Sequence, residues 1–286
     1  MRKAIFALAA AIAFASCNRE IITTNEPEKQ PEIQETEMVT ISFRSRITSE
    51  PMTKTATDIA DLSTRLDVYI VCGEDILEFH QNKTEDESFG SITTALNKTK
   101  TYTVYAMAHK GSGPSTMEDG VFTFTDNKIT ETLYCKVSFS PSLTTSLVCS
   151  MNRIVGMFKL IMTDPLPQGL AKVRFTVADT YLGYGINGTL ENQGDKVSVI
   201  NNPSSAQDGS TTFKVYCLAG EESDTFDITV TALNEDDEVI EEKTFQDVPL
   251  QAGYMSTYRG TFFVTTGMSV SFSTTDEWSS FEEESY

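Results

Sequence analysis

The amino-acid sequence predicts an all-β protein with two β-sandwich domains behind an N-terminal signal peptide and a flexible tether. Apolar residues recur with a period of two from Met38 onward, which is the spacing of half-buried strands rather than of helices. Thr, Val, Tyr and Phe dominate these runs, and Gly, Asn, Asp and Pro fill the gaps between them. At 286 residues, the chain is long enough to bury two separate cores.

The N-terminus has the parts of a secretory signal peptide. Arg2 and Lys3 supply a positive start, and residues 4–14 form an apolar run that is too short to span a bilayer. Two small residues follow, as a signal peptidase requires. We therefore expect residues 1–16 to be a lipoprotein-type signal peptide that is removed on export.

Cys17 follows this segment directly, and residues 14–17, FASC, resemble the lipobox of bacterial lipoproteins. In such proteins the cysteine carries a diacylglyceryl group. The resemblance implies that a lipid on Cys17 anchors the chain to the outer membrane. An ordinary secretory signal with a cysteine nearby is the alternative. No later stretch is long and apolar enough for a second membrane span.

Residues 17–37 are polar and acidic and are interrupted by Pro27 and Pro31. Such a segment cannot bury a core, so it is predicted to be a flexible tether with an extended reach of roughly 70 Å. The whole chain has a formal net charge of −19 at pH 7. A chain this acidic is not expected to bind nucleic acid.

The alternating runs divide into two groups, which predict a first sandwich over residues 38–145 and a second over 146–286. Residues 140–152 form the expected seam between them. The first group has runs at 39–43, 65–71, 101–108, 121–125 and 133–139. The second group has runs at 156–162, 171–178, 196–200, 211–219, 226–233, 257–264 and 268–272.

Residues that usually build catalytic or metal sites are few or dispersed. The two histidines, His80 and His109, have no histidine partner at zinc-ligand spacing. A GxSxG motif and a glycine-rich phosphate loop are absent. The acidic run at 234–238 lies between two strand patterns and is more typical of a hairpin turn than of a calcium loop. We therefore expect no enzymatic activity, no metal and no cofactor.

Four further cysteines follow Cys17, at Cys72, Cys135, Cys149 and Cys217. Their spacings contain no CxxC motif and no tight disulfide framework. Strand-like surroundings favour small buried apolar side chains, although an exported chain is able to pair its cysteines. The sequence leaves their disulfide state open.

Two strand patterns near the ends of the predicted folded region share one form. VTISF at 39–43 and MSVSF at 268–272 each run apolar, polar, apolar, Ser, Phe. Alternation would place three apolar side chains of each strand on one face: Val39, Ile41 and Phe43 in the first, and Met268, Val270 and Phe272 in the second. Two such strands could compete for one groove.

Several longer segments resemble, in order, the fimbrillin superfamily of Bacteroidales pili. They are YTVYAMAH at 102–109, the segment 150–190 with Arg153 and the letters DPLP, VPLQAGYMSTYRGTFF at 248–263, and the closing MSVSFSTTDEW. The resemblance runs from the lipobox to the end of the chain. It implies two transthyretin-like β-sandwich domains, no catalysis, and a structural role in cell-surface fimbriae.

The resemblance also implies assembly by β-strand exchange. Shaft subunits of the family lose their N-terminal strand after a trypsin-like cut behind a basic residue, and a C-terminal strand of the next subunit fills the groove. Here, residues 39–43 would be the removable strand and 268–272 the donor strand. The implied partners are other fimbrial subunits.

The processing site is where the sequence departs from the family pattern. The candidate basic residues are Arg44, Arg46 and Lys54, and Lys54 stands where shaft subunits have Arg. An uncut subunit would keep its lipid and its first strand as a basal anchor, so shaft and anchor roles both stay open. A surface glycan-binding lipoprotein is the alternative function, with Tyr181 and Tyr184 as candidate sugar contacts.

Overall fold

The computed structural model of the protein describes residues 35–45, 58–263 and 272–277. These residues belong to one unit that begins at Glu35. Its elements are β1 (Thr36–Ser45), α1 (Ile59–Leu62), β2 (Arg65–Cys72), β3 (Asp75–Asn82), β4 (Ser91–Asn97), β5 (Tyr102–His109), β6 (Ser115–Glu118), β7 (Val121–Phe124), β8 (Thr132–Phe139), β9 (Ser146–Arg153), β10 (Val155–Met162), β11 (Lys172–Gly185), β12 (Leu190–Asn201), β13 (Thr211–Leu218), β14 (Asp224–Leu233), β15 (Val239–Leu250), β16 (Tyr254–Gly260) and β17 (Phe272–Glu277). A 3₁₀ turn, Thr125–Asn127, follows β7. The all-β prediction is confirmed.

The first half of the chain forms a seven-stranded sheet in the order β3-β2-β5-β8-β9-β1-β4. Its two ends pack against each other, because inward side chains from both ends share one buried core. That first core contains Val39, Ile41 and Phe43 of β1, Ile92 and Leu96 of β4, Leu66, Val68 and Ile70 of β2, and Val104 and Ala106 of β5. The sheet therefore folds over into a sandwich.

Strands β10 to β17 of the second half, together with the β6–β7 hairpin, form two sheets that face each other. One has the order β13-β10-β16-β17, and the other has the order β15-β14-β11-β7-β6 with β12 paired to β11. Their inward side chains build a second core that includes Phe158 and Leu160 of β10, Val173, Phe175 and Val177 of β11, and Ile228 and Val230 of β14. This is a second β-sandwich.

The β6–β7 hairpin links the two halves. It lies in the first half of the sequence, yet β7 pairs with β11 of the second half through Thr123 and Gly183. Its two-residue loop is Asp119-Gly120, and both residues have positive φ, at 49° and 76°. That backbone is the type I′ turn that suits tight hairpins, and glycine adopts it readily.

A third apolar cluster lies under this hairpin and joins the two sandwiches. It combines Tyr69, Met107, Phe122 and Tyr134 from the first half with Val155, Tyr184 and Leu218 from the second. Its aromatic rings meet edge to face, with Tyr134 and Tyr184 centroids 5.0 Å apart. The interface between the halves is thus a buried core rather than a loose linker.

The element bounds add detail to the predicted organisation. β1 begins at Thr36, slightly before the predicted start of the first sandwich at Met38. β9 begins at Ser146, directly after the predicted boundary, and it pairs with β8 and β1 in the first sheet. The predicted signal peptide 1–16 and Cys17 lie outside the described residues. No helix within the described ranges has the length and apolar character needed to cross a bilayer.

Candidate functional site

Strand β1, the predicted removable strand, lies between two strands that are distant in sequence. Its first part pairs antiparallel with β4, from Thr36 opposite Asn97 to Ser42 opposite Ser91. Its second part pairs parallel with β9, from Thr40 opposite Ser146 to Ser45 opposite Met151. β1 is therefore an interior strand, and without it a backbone groove would open between β4 and β9.

The three apolar side chains of the predicted pattern all face the first core. Val39 and Ile41 are 0% exposed and Phe43 is 2% exposed. Met38, on the opposite face, is 58% exposed. At about 1.5–3 kcal/mol for each buried apolar side chain, the three contribute roughly 5–9 kcal/mol of gross burial. A strand that replaced β1 would need a matching apolar face.

Of the three candidate processing residues, the structure describes only Arg44. Arg44 lies inside β1, exposed, opposite Ser150 of β9, and it forms a β-bridge with Asp58. A protease that cut after Arg44 would have to open this sheet, because proteases bind their substrates as extended, unpaired chain. Arg46 and Lys54 lie outside the described residues. Arg44 is therefore expected to be a poor protease substrate in the folded protein.

The predicted donor strand is described only at its last residue. Met268 and Val270 lie outside the described residues, and Phe272 is the first residue of β17. β17 pairs antiparallel with β16, with Phe272 opposite Tyr258 and Glu277 opposite Tyr254. Among the described residues, the strand that follows the donor pattern is an edge strand of this chain's own second sandwich.

The end of β16 is held by a buried carboxylate. Asp164 is 4% exposed, and both its oxygens accept hydrogen bonds from the backbone N–H of Phe262, at 2.9 and 3.0 Å. It also accepts one from the N–H of Phe263. Asp164 belongs to the DPLP letters of the family resemblance. It therefore fixes the chain just before the region that contains the predicted donor strand.

A cavity of about 340 Å³ lies beside this anchored end, between β15 and β16. Its lining is largely aromatic and apolar, with polar groups among it: Leu160, Lys243, Thr244, Phe245, Gln246, Tyr258, Gly260, Thr261 and Phe262. The ammonium of Lys243 lies 5.2 Å from the ring centroid of Phe262, within cation–π range. The cavity has the volume and the apolar lining to accept an apolar side chain.

A buried polar cluster that the sequence did not reveal surrounds Asp67 of β2. Its carboxylate, 0% exposed, accepts hydrogen bonds from the backbone and hydroxyl of Ser115, both at 2.7 Å. His80 and His109 also contact it, at 2.8 and 2.9 Å. His109 Nδ1 accepts the N–H of Gly111, so Nε2 carries the ring proton and donates it to Asp67.

Asp67 stays ionised in this setting. Burial works to raise its pKa, but hydrogen bonds from His109, His80 and Ser115 outweigh burial and hold the pKa below its usual value. Because Ser115 begins β6, the cluster ties the linking hairpin to β2 and β5. Both histidines therefore have structural partners. Within the described residues, no group of three or more His, Cys, Asp or Glu side chains is arranged to hold a metal ion.

The candidate sugar contacts do not form an exposed platform. Tyr184 is 9% exposed and belongs to the third cluster. Tyr181 is half-buried against the second and third clusters and meets the Phe226 ring edge to face at 6.5 Å. Burial raises the pKa of Tyr184. Glycan-binding sites commonly stack sugars on open aromatic faces, and these two rings are committed to packing.

Arg153 of the family segment also has a structural role. Its guanidinium donates from Nη2 and Nε to one oxygen of Glu131, at 2.9 and 3.2 Å. Lys110 contacts the other oxygen of Glu131 at 3.1 Å. The carboxylate of Glu131, largely buried, thus has two cationic partners near the junction of the halves.

Comparison with solved structures supports the fold. A candidate cell adhesion protein from Bacteroides ovatus is similar with a TM-score of 0.52 and 11% identity, over 87% of this chain and 100% of that protein. A candidate adhesin from the same species gives 0.49 and 9%, over 84% and 96%. The fimbrial anchor protein Mfa2 from Porphyromonas gingivalis gives 0.43 and 12%, over 78% and 90%.

No protein-family model and no curated protein matches the sequence. At 11% identity, the similarity to the first of these structures shows the fold alone. The chain has the all-β fold of the first of these Bacteroides proteins.

Proposed function

We propose that the protein is a non-enzymatic structural subunit of cell-surface fimbriae, held at the outer membrane by a lipid on Cys17. Other fimbrial subunits are its partners, and β-strand exchange is the mode of assembly. The similarity to a candidate adhesion protein of Bacteroides ovatus supports the surface role. The role is shaft or basal anchor, according to whether the N-terminal strand is cut.

The position of β1 is the observation that supports this proposal best. β1 fills a groove between β4 and β9, and its inward side chains are Val39, Ile41 and Phe43. The predicted donor pattern offers Met268, Val270 and Phe272 at the same spacing. A donor strand of this form would restore the backbone hydrogen bonds to β4 and β9 and would bury three apolar side chains in the first core. A replacement strand must make both kinds of contact.

Matched single substitutions in the donor pattern test the exchange. The full chain would be treated with an arginine- and lysine-specific protease and its polymers measured by size-exclusion chromatography. Val270→Asp, on the apolar face of the pattern, should abolish polymers, because a buried carboxylate would face the core. Ser269→Asp, on the polar face, should leave them. Equal polymerisation of both variants would refute the donor assignment.

The N-terminus of surface-derived material separates the two roles. A start near Thr55 would indicate a cut subunit and a shaft role, whereas a blocked and lipidated Cys17 would indicate an anchor. The peptide bond after Arg44 should resist cutting, because Arg44 is paired on one side with β9 and bridged to Asp58. Recovery of a chain that begins at Ser45 would contradict this reading of the sheet.

A further inference from the structure

The outer face of the sheet β13-β10-β16-β17 carries a patch of positive charge in an acidic chain. Lys159 of β10, Lys214 of β13 and Arg259 of β16 alternate with core residues, so all three point away from the second core. The other residues of these three strands on the same face are uncharged. The chain as a whole has 41 acidic and 22 basic residues. We call Lys159, Lys214 and Arg259 the basic patch.

Two of these cations are direct neighbours. Lys159 and Lys214 lie opposite each other in the β10–β13 ladder. Side chains of such a pair have Cβ atoms about 4.5–5.5 Å apart, and like charges placed there destabilise a sheet. Partial burial of Lys159, together with the charge of Lys214, lowers the pKa of Lys159. An anion bound between the two lysines would relieve this repulsion.

The basic patch has no acidic partner within the part of the chain that the structure describes. None of its three cations takes part in the ion pairs found there. Asp208, in the loop before β13, has a lowered pKa, chiefly through hydrogen bonds from Ser210 and to a smaller extent through Arg259. Asp208 does not lie within ion-pair distance of Arg259. The three cations are therefore available to an anion from elsewhere.

We propose that residues 281–286 of the same chain, FEEESY, bind across the basic patch, with Glu282, Glu283 and Glu284 beside its cations. This segment lies outside the described residues. Its three consecutive carboxylates complement three cations that have no other partner. Phe281 adds an aromatic ring, which suits a face that also presents the partly exposed Met255.

The last described residue lies within reach of the patch. β17 ends at Glu277, opposite Tyr254 at the start of β16. Lys159 is opposite Thr257, so it is two strands across and three residues along from Glu277. That separation is about 14 Å, at about 4.8 Å between strands and 3.3 Å per residue. The chain from Glu277 to Glu284 extends up to roughly 23 Å, which leaves enough length for it to turn back over the sheet.

Attachment to the same chain also favours this segment over a free partner. Exposed ion pairs are individually weak, at about 0–1 kcal/mol. A short linker keeps the carboxylates at an effective concentration in the mM range, so several weak contacts suffice for binding. Because the contacts are exposed, salt should weaken them.

Trp278 provides a direct measurement, because it is the single tryptophan of the chain and lies just before the segment. We expect its fluorescence anisotropy in the full chain to fall when Glu282, Glu283 and Glu284 are all replaced by Gln, since release frees the indole. About 0.5 M NaCl should have the same effect on the unmodified chain. The control replaces three exposed glutamates of the first half by Gln: Glu74, Glu85 and Glu87. Unchanged anisotropy in the segment variant, or an equal fall in the control, would overturn the proposal.

Substitution on the patch tests the other side of the contact. Lys214→Gln should lower the anisotropy of Trp278 in the same way as the segment variant. Lys128→Gln removes an equally exposed lysine of the first half and should leave the anisotropy unchanged. If Lys214→Gln has no effect while the segment variant does, the segment binds elsewhere and the proposed site is wrong.

Carbodiimide cross-linking identifies the contact, because it joins a carboxylate to a neighbouring lysine amine. An equal mixture of ¹⁴N- and ¹⁵N-labelled full chains would be cross-linked at low salt, digested and examined by mass spectrometry. We expect links from residues 281–286 to Lys159 or Lys214, several-fold more abundant than links to Lys128, in peptide pairs of a single isotope. Mixed-isotope pairs would show that a second copy occupies the patch and would overturn binding within one chain, as would equal linking to Lys128.

A bound segment would also hold β17, and the donor pattern before it, on the chain's own second sandwich. This consequence rests on the proposed function, whereas the binding itself does not. If both are right, the variant with Glu282, Glu283 and Glu284 replaced by Gln should polymerise faster after protease treatment than the unmodified chain. Single-isotope cross-links in a chain that never polymerises would support the binding and count against the proposed function.

Discussion

Replacement of Lys196 by methionine is expected to stabilise the protein, although lysine is the native residue. Lys196 lies in β12 opposite Val177, faces the second sandwich and is 2% exposed. Its Nζ donates a hydrogen bond to Ser198 Oγ at 2.9 Å, and no described carboxylate lies within ion-pair distance of it. Burial lowers the pKa of Lys196 accordingly.

The expected gain follows from removing a poorly compensated buried ammonium. Replacing buried ion pairs by apolar residues of similar volume is often neutral or stabilises proteins by about 1–4 kcal/mol, and Lys196 has no ion pair to lose among the described residues. Methionine also preserves most of the lysine stem. We expect about 1–3 kcal/mol, since the serine hydrogen bond is lost in exchange. For a chain of this size, that corresponds to roughly 2–4 °C in melting temperature for each kcal/mol.

The pH dependence has a definite sign. Because the folded-state pKa lies below the unfolded value of about 10.4, the unfolded chain binds more protons between the two, and the native protein gains stability as pH rises through that window. The advantage of Lys196→Met should therefore shrink as pH rises toward 10.4. Urea unfolding at several pH values measures it, with the exposed Lys128→Met as a control near zero. Destabilisation by the variant, or an advantage that stays constant with pH, would refute the buried-ammonium reasoning.

Three further substitutions probe the structure. Asp67→Asn should lower the free energy of unfolding, measured in urea at pH 7, by about 3–5 kcal/mol. This loss should become smaller as pH falls through the lowered folded-state pKa of Asp67, because the native carboxylate is then protonated as well. A loss that does not change with pH would contradict the ionised state of Asp67. Asp164→Ala should speed amide exchange at Phe262, and unchanged protection there would count against the anchor. Gly156→Ala should cost about 1–3 kcal/mol in melting experiments, since its Cβ would meet Gln251 backbone atoms at 3.0 Å, whereas Gly220→Ala should be neutral.

Local periodicity predicted most strands because each needed only one buried face. The pattern at 39–43 is confirmed as part of β1, with alternate residues buried as expected. The pattern at 65–71 became β2, but both of its faces are buried, since Asp67 and Tyr69 lie under the β6–β7 hairpin while Leu66 and Val68 face the first core. Alternation within β2 does not predict that its second face is buried, because the β6–β7 hairpin that covers this face lies far along the chain.

β12 shows where the local pattern was overridden. The run KVSVI suggests a strand with its valines inward, yet Val197 and Val199 are 55% and 48% exposed and Lys196 is buried. Leu190 and Ile200 lie on the same face of β12 as Lys196, and both pack against the apolar cores. The two ends of the strand therefore set its register. A one-residue slip would turn every side chain over, and the apolar ends outweigh the central valines.

The candidate site was predictable in its parts but not in its arrangement. The apolar face of β1 was visible in the sequence, whereas its parallel pairing with β9 joins residues about one hundred positions apart, as Ile41 opposite Leu147 shows. The cluster on Asp67 was hidden for the same reason, since His80, His109 and Ser115 come from three other strands. Pairing across such distances depends on the whole fold, and single-sequence periodicity carries no information about it.

The distribution of the apolar cores explains how a subunit could lose β1 and remain folded. Val39, Ile41 and Phe43 belong to the first core alone, while the second core and the junction cluster contain no residue of β1. The junction is further held by the hydrogen bonds between Asp67 and Ser115, which do not involve β1. Departure of β1 would therefore expose one groove in one sandwich and leave the other sandwich packed. Strand exchange requires this kind of division, because an acceptor that unfolded along with its strand could not bind a donor.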